Sequence, residues 1–465
     1  MIFLLMAVLF LVVAPATVMY CLGWRLDLKA KKIIQPGMVY LKAAPKTAEV
    51  YIDGIFQRKT DFFFGSLLME NLLPKNYHIE IKKEGFHVWE KTLPVEKRKV
   101  TEAKSIILIP ENPSVSLISK NVGRIYPSPN GRFLVIEEIL PAEESQTARW
   151  SLKLINADNN SKSHLVSEES FVPSALKSKK NPPALELSDF TISEDSNFAL
   201  VALSSAEKNY YYLLNLKQKD IEEIVFPEKN QPKEIVLGAE RKIWTVFEEK
   251  TGPVLKMFDL EKKVYSDPLI SGFAGFKFKD GYVYWLDLQG NLFKSGLETG
   301  SKEKINIMPI ALKKDSVYKI EFLGHYTFLR EDASLYMLEN MAFAPLTDSC
   351  SDFKLSPDGK KLLYSDGQQA WVIFLEKKHE QPVKEAGEKI MVADTKNLGN
   401  VFWYTDNYLV YSEENSIKVT ETDDRDKFNV SELFGAEKPE IYWIRNKLYF
   451  LSKDILSVSE NLISS

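Results

Sequence analysis

Residues 2–24 carry no charge and are dominated by Leu, Val, Ile, Phe, Met and Ala. A helix of about 20 such residues crosses a hydrocarbon core of roughly 30 Å. Tyr20 and Trp24 stand where interfacial aromatics stand, Arg25 ends the run, and Pro15 is tolerated where neighbours satisfy the carbonyl it frees. The pattern predicts a transmembrane anchor over residues 1–24 and a juxtamembrane linker over 25–36. Two other readings remain: Ala14-Pro15-Ala16 has the small-x-small form of a signal cleavage site, and the helix could belong to a core. Apolar residues continuing past Ala16 speak against cleavage. Arg25, Lys29, Lys31 and Lys32 follow the run, and the Lys/Arg rule taken literally puts the body of the protein in the cytoplasm. The lack of a basic leader suggests instead a start site placed too late and an extracytoplasmic body.

From Gly37 the period changes to two. Val39, Leu41 and Ala43 alternate with Tyr40 and Lys42, Val50 and Ile52 with Tyr51 and Asp53, and Tyr77, Ile79 and Ile81 with His78 and Glu80. This is the pattern of half-buried strands, and Asp53-Gly54 is a hairpin turn. Residues 37–112 are expected to form a small β-sandwich in which Phe62, Phe63 and Phe64 make an exposed-looking apolar patch.

Past Asn112 a unit recurs: a short strand, a polar turn, then two strands rich in Tyr, Trp, Phe, Val and Leu. The clearest copy runs from Phe353 through Ser356-Pro357-Asp358-Gly359 to Leu375; another passes through Ser128-Pro129-Asn130-Gly131. Weaker copies centre on Phe198, Trp244, Trp285, Phe328, Tyr411 and Tyr449. About eight units at this spacing imply radially repeated sheets, because a lone four-stranded sheet cannot bury both faces. Residues 113–465 therefore read as a β-propeller of eight blades, alternatively seven. The polar stretch 140–185, apart from a strand around Leu152, reads as long surface loops. The fold class is all-β: an N-terminal transmembrane helix, a small sandwich, and a propeller.

Two family resemblances accompany this reading. Gly37-Met38-Val39-Tyr40-Leu41, Ala44-Pro45, Ala48 to Gly54, Thr60, Leu73 to Ile79 and Lys83-Glu84-Gly85-Phe86 match, in order and spacing, the PEGA family of small β-domains. The chain departs from it at Asp61, where a proline is usual, and at the turn before Tyr77. The Ser-Pro-Asp-Gly and Ser-Pro-Asn-Gly turns resemble those of TolB-like propellers. The PEGA resemblance implies a non-catalytic surface or cell-envelope module and brings no catalytic residues.

Composition narrows the classes. The 465 residues are 45% apolar and 27% charged, with a net charge of −4 and both signs interspersed, so a globular core is expected and no clustered basic face for nucleic acid. Cys21 and Cys350 are too far apart in sequence to suggest a disulfide, and Val18-Met19-Tyr20 lacks the small residues that precede a lipidated cysteine.

No nucleophile elbow, phosphate loop, dinucleotide fingerprint or His-Glu-x-x-His is found. His78, His87, His164, His325 and His379 are scattered; His78 and His87 both lie in the small domain, where neighbouring strand surface positions account for them without a metal. Asp423, Asp424 and Asp426 lack the glycine and distal glutamate of a calcium loop and read as a solvated turn. Asp195 and Asp358 read as turn formers, and Tyr210-Tyr211-Tyr212 as core rather than a stacking platform. We therefore expect no catalytic, cofactor or metal residues. The expected function is a membrane-anchored cell-envelope protein whose propeller binds a protein or polysaccharide. The rivals are a propeller enzyme with its site in the central channel and a cytoplasm-facing tethered assembly factor.

Overall fold

The computed structural model describes residues 2–21, 24–27, 32–140, 149–176, 183–205, 208–227, 231–238, 240–297, 300–460 and 462. The chain is nearly all β. It divides into two compact units, one of Met1–Val115, Lys354–Ile441 and Ser459–Ser465, the other of Ser116–Phe353 and Tyr442–Val458.

The first unit begins with helix α1, Ile2–Cys21. Most of its described side chains, among them Phe3, Phe10, Leu11 and Val12, are exposed, and Ala14 and Met19 are half-buried. Side chains at positions 2, 4, 5 and 16 lie outside the described residues, and among the described residues no helix is long and apolar enough to cross a membrane. The expected linker is also partly structured: β1 (Arg25–Asp27) pairs with β2 (Lys32–Ile34), because the extended segments on either side of 28–31 can share a ladder.

Seven further strands form the small domain: β3 Gly37–Ala44, β4 Glu49–Ile52, β5 Ile55–Lys59, β6 Ser66–Leu72, β7 Lys75–Lys82, β8 Trp89–Val95 and β9 Val100–Ile107. They make a three-stranded sheet, β6-β3-β9, and a four-stranded sheet, β5-β4-β7-β8. The period of two is the burial pattern: Val39, Leu41, Val50, Ile79, Ile81 and Leu93 meet in one core. Asp53 and Gly54 both take positive φ, the conformation a two-residue hairpin needs.

Strand β8 does not end at that core. Lys91 is 0% exposed; its Nζ lies 2.9 Å from Glu421 Oε1 and donates to the carbonyl oxygens of Asp423 and Arg425, both at 2.8 Å, and of Lys427. Glu421 in turn accepts Trp89 Nε1 at 3.0 Å and, from Asn429, the backbone N at 2.9 Å and Nδ2 at 2.7 Å. The ring of acceptors is what makes the site tolerable, since desolvating an ammonium and a carboxylate costs several kcal/mol per ion unless every hydrogen-bonding group is matched. The turn expected to be solvated is thus a docking loop. Asp426 accepts Thr92 N at 2.7 Å, Asp424 pairs with Lys384 at 2.6 Å and Asp423 with Arg425 at 2.6 Å. On β9, the Gln381 side chain takes the place of a neighbouring strand, donating to Val100 O at 3.0 Å and accepting Glu102 N at 2.9 Å.

Beyond the small domain, among the described residues, stand eight antiparallel sheets in chain order. The first unit holds those over 352–394 and 401–435; the second holds those over 122–167, 186–224, 234–271, 273–304 and 318–347. In the remaining sheet the strands Glu440–Ile444, Lys447–Ser452 and Ile455–Ser459 from the end of the chain are joined by Val115–Ser119 from near its start. The other seven sheets are meanders of four consecutive strands, with a fifth short strand added over 234–271, and this is the topology of propeller blades. All eight recurring units coincide with these sheets. The stretch 140–185 is less loop-like than expected: Lys162–Ser167 is a strand, because Leu165 and Val166 are buried there, and two 3₁₀ turns follow at Glu168–Ser170 and Ser174–Leu176. The acidic triplet at 143–145 and the lysine-rich run at 177–180 lie outside the described residues.

Removing the ammonium while keeping the stem should expose the cost of the unpaired partner. Lys91→Met is expected to lower stability by about 3–5 kcal/mol in denaturant unfolding, and adding Glu421→Gln to recover part of that loss.

A binding cavity built from opening strands

Four of the second unit's sheets present their first strand to a common space. Glu186–Ile192, Glu234–Leu237, Phe273–Lys279 and Tyr318–Leu323 contribute to the wall of a cavity of about 1400 Å³. Glycine sets how closely these strands approach. A Cβ on Gly275 would lie 2.3 Å from the carbonyl oxygen of Tyr318, so the two strands touch backbone to backbone. A Cβ on Gly238 would lie 2.7 Å from Nε1 of Trp244, whose ring fills the space beside it.

The turn that follows the first strand reveals what the repeated Ser and Asp or Asn positions do. Ser193 Oγ donates to Asp195 Oδ1 at 2.6 Å, and that oxygen accepts Asn197 N at 3.1 Å, while Phe198 N donates to Ser193 Oγ at 3.0 Å. The same bonds recur at Ser356 and Asp358 (2.5 Å) and at Ser128 and Asn130 (3.0 Å). Asp195 and Asp358 are turn formers as expected. Burial alone would raise the pKa of Asp195, but the bonds from Ser193 and Asn197 outweigh it and hold the carboxyl below its ordinary value. The third turn was only weakly legible because Ser196, with φ +57°, stands where the clearer copies have glycine.

Seven carboxylates and four lysines line the cavity. Glu194, Glu234, Glu240 and Asp280 are exposed, and Glu194 lies 3.5 Å from Lys277 across the intervening sheet. An ion pair this open contributes up to about 1 kcal/mol, so these groups stay available to an incoming charge. The aromatic rings are less free. Trp244 is buried against Phe278 with centroids 4.8 Å apart, Lys279 Nζ sits 4.6 Å over Phe322, and Lys294 Nζ sits 4.0 Å over the exposed ring of Tyr282. A wall of solvated carboxylates with partly covered rings suits recognition of charge and backbone better than stacking of a sugar.

Among the described lining residues there is no histidine or cysteine. His164 lies on an outer strand, and His325 stacks on Tyr326 with ring centroids 3.9 Å apart. In the small domain His78 is brought not to His87 but to Glu80 and Glu90, with ligand atoms within 4.8 Å of one another. Lys82 pairs with Glu80 at 2.9 Å and Lys427 pairs with Glu90, so both carboxylates already have cations. His87 Nε2 lies 3.1 Å from Glu432 O. Tyr210 and Tyr212 are core, Tyr212 ringed by Phe171 at 5.1 Å. Cys21 is exposed and Cys350 buried, and no disulfide joins them.

No family model matches the chain, and no curated protein matches it. Among solved structures it is similar to Hsv2 from Kluyveromyces marxianus, with 13% identity over 68% of this chain and 98% of that one and a TM-score of 0.40. BamB from Moraxella catarrhalis gives 10% identity over 75% and 98%, TM-score 0.39, and a streptogramin B lyase 13% over 58% and 91%, TM-score 0.32. These neighbours are β-propellers.

The backbone approach at Gly275 leaves no room for a methyl group. Gly275→Ala is expected to cost about 1–3 kcal/mol by thermal unfolding, whereas Gly238→Ala should chiefly displace the Trp244 ring and shift its fluorescence.

Proposed function

We propose that the protein is a membrane-anchored, non-catalytic binding protein of a prokaryotic cell envelope, holding a protein partner through a β-propeller. The observation that carries the binding role is the 1400 Å³ cavity with its surplus of solvated carboxylates, which favours a polypeptide segment bearing Lys or Arg over a polysaccharide. The eight sheets favour eight blades over seven. The small domain has the two-sheet form expected from its alternating strands, and its resemblance to the PEGA family favours a non-catalytic module.

The anchor reading rests on α1. Twenty uncharged residues form one helix with side chains such as Phe3, Phe10 and Leu11 in the open, and each Å² of apolar surface left in water forgoes about 25 cal/mol. An apolar helix left this open favours a place in lipid over one in water. Arg25 supports the interfacial end: its guanidinium lies 3.8 Å over the ring of Tyr20 and donates to Tyr20 O at 2.8 Å.

A photo-cross-linking amino acid at Tyr282 in living cells should yield an adduct with a polypeptide, lost when Glu234, Glu240 and Asp280 are all changed to Lys; a glycan adduct would favour the polysaccharide reading. The full chain should stay with membranes through carbonate washing and lose that retention when residues 2–21 are deleted. Protease treatment of intact cells then separates an outward-facing propeller, which is digested, from a cytoplasm-facing one.

A further inference from the structure

The loop between β5 and β6 is exposed and apolar, yet held firmly. Phe62, Phe63 and Phe64 are 71–75% exposed. Beneath them the Asp61 carboxylate accepts the backbone N–H of Phe63 at 2.9 Å, of Phe64 at 2.7 Å and of Ser66 at 2.6 Å, together with the Ser66 hydroxyl at 2.5 Å. Gly65 closes the loop at φ +66°, and a Cβ there would lie 2.3 Å from Ala43 O, so the backbone is pinned against β3. A chain that spends four hydrogen bonds and a glycine on keeping three phenylalanines in water is presenting them to something.

The surroundings say what. Lys42 stands opposite Ser66 in the β3–β6 ladder and is exposed. The Lys46 side chain passes 3.3 Å from where a Gly65 Cβ would be, and Lys83 Nζ reaches the same corner, donating to Lys46 O at 2.5 Å. The carboxylate of Asp61 is consumed by the loop's own N–H groups. The tip is therefore exposed and aromatic, with Lys42, Lys46 and Lys83 on the strands and turn beside it. Strand β6 runs from this tip to Asn71, whose Oδ1 accepts Arg25 Nε at 3.3 Å just after α1 ends. Seven residues of strand place the tip about 20 Å from that exit point.

We infer that the Phe62-Phe63-Phe64 tip is a second lipid contact, seating its rings in the interfacial layer of an anionic bilayer while Lys42 and Lys46 meet the headgroups. Apolar side chains that enter the boundary layer beside basic groups bind in this way, and each Lys near a negatively charged surface adds to the attraction. With α1 as one attachment and the tip as another, β6 lies along the membrane instead of standing away from it. The inference goes beyond the anchor and makes no use of the cavity.

The test uses the full chain with Cys21→Ser, labelled with an environment-sensitive fluorophore at Phe63→Cys, or at Lys396→Cys as reference, in vesicles whose lipid is one third phosphatidylglycerol. Flotation of the vesicles reports the anchor, and quenching by aqueous iodide reports the tip, so the two can fail separately. The label at 63 should be quenched at least about threefold less than the label at 396. Lys42→Glu with Lys46→Glu should abolish that difference while flotation persists, and Phe62→Ser with Phe64→Ser should reduce it. Equal quenching at the two positions in floated vesicles overturns the inference. So does shielding that grows with the ratio of protein to lipid, which would assign the tip to a second copy of the chain.

Discussion

A strand with water on neither side governs most of this structure. In the middle strands of the repeated sheets, consecutive residues are buried: Leu134, Val135 and Ile136; Ile243, Trp244, Thr245 and Val246; Leu362, Leu363 and Tyr364; Leu409 and Val410. Successive side chains point to opposite faces, so each of these sheets must be covered on both. One sheet's cover is the next: Val135 and Leu152 share a cluster with Val201 and Tyr212, and Leu200 and Leu213 share another with Ile243 and Phe258. The polar turns, the glycines at points of close approach and the cavity all follow from strands packed in series.

That constraint also explains what the amino-acid sequence disclosed and what it withheld. In the small domain β3, β4 and β7 were legible, because Val39, Leu41 and Ala43, Val50 and Ile52, and Tyr77, Ile79 and Ile81 alternate cleanly, whereas β5, β6, β8 and β9 were not read as strands. The repeated sheets were legible as units, since runs such as Ile243-Trp244-Thr245-Val246-Phe247 have no solvent period and can only be doubly covered strands. The Ser–Asp turns declared themselves where proline and glycine accompany them and faded at Ser193, where they do not. The alternation of β8 puts Lys91 on the buried face with Trp89, Leu93 and Val95, but nothing local shows what meets its ammonium, because the acceptors come from a loop more than 330 positions later in the chain. The same distance hid the part played by Asp426, and Lys162–Ser167 hid as a strand inside a stretch of polar composition.

The cavity was foreseeable in kind but not in content. Opening strands of successive sheets converge wherever blades are stacked, yet which side chains reach the space depends on register. Phe276 and Phe278 alternate with Lys277 and Lys279, yet all four reach the lining, because Phe273–Lys279 is the edge strand of its sheet. Charge there is net acidic while the chain as a whole is close to neutral, so the imbalance arises from placement. The tip of the small domain shows the reverse: aromatic residues beside lysines, set out by a loop whose only acid has been turned inward.

The ammonium of Lys91 also bears on how the protein is made. A ribosome finishes β8 long before it reaches Glu421, and Val115–Ser119 emerges long before the Ile455–Ser459 strand that it joins. Until then the nascent N-terminal domain carries a lysine in its sheet with no counter-ion, and the first strand of the repeated array has an open edge. Closing loops of more than three hundred residues is slow and leaves partly assembled chains exposed to aggregation. Lys91 and Val115–Ser119 gain their partners only once Glu421 and Ile455–Ser459 have been made, and a product truncated before them would lack both seals.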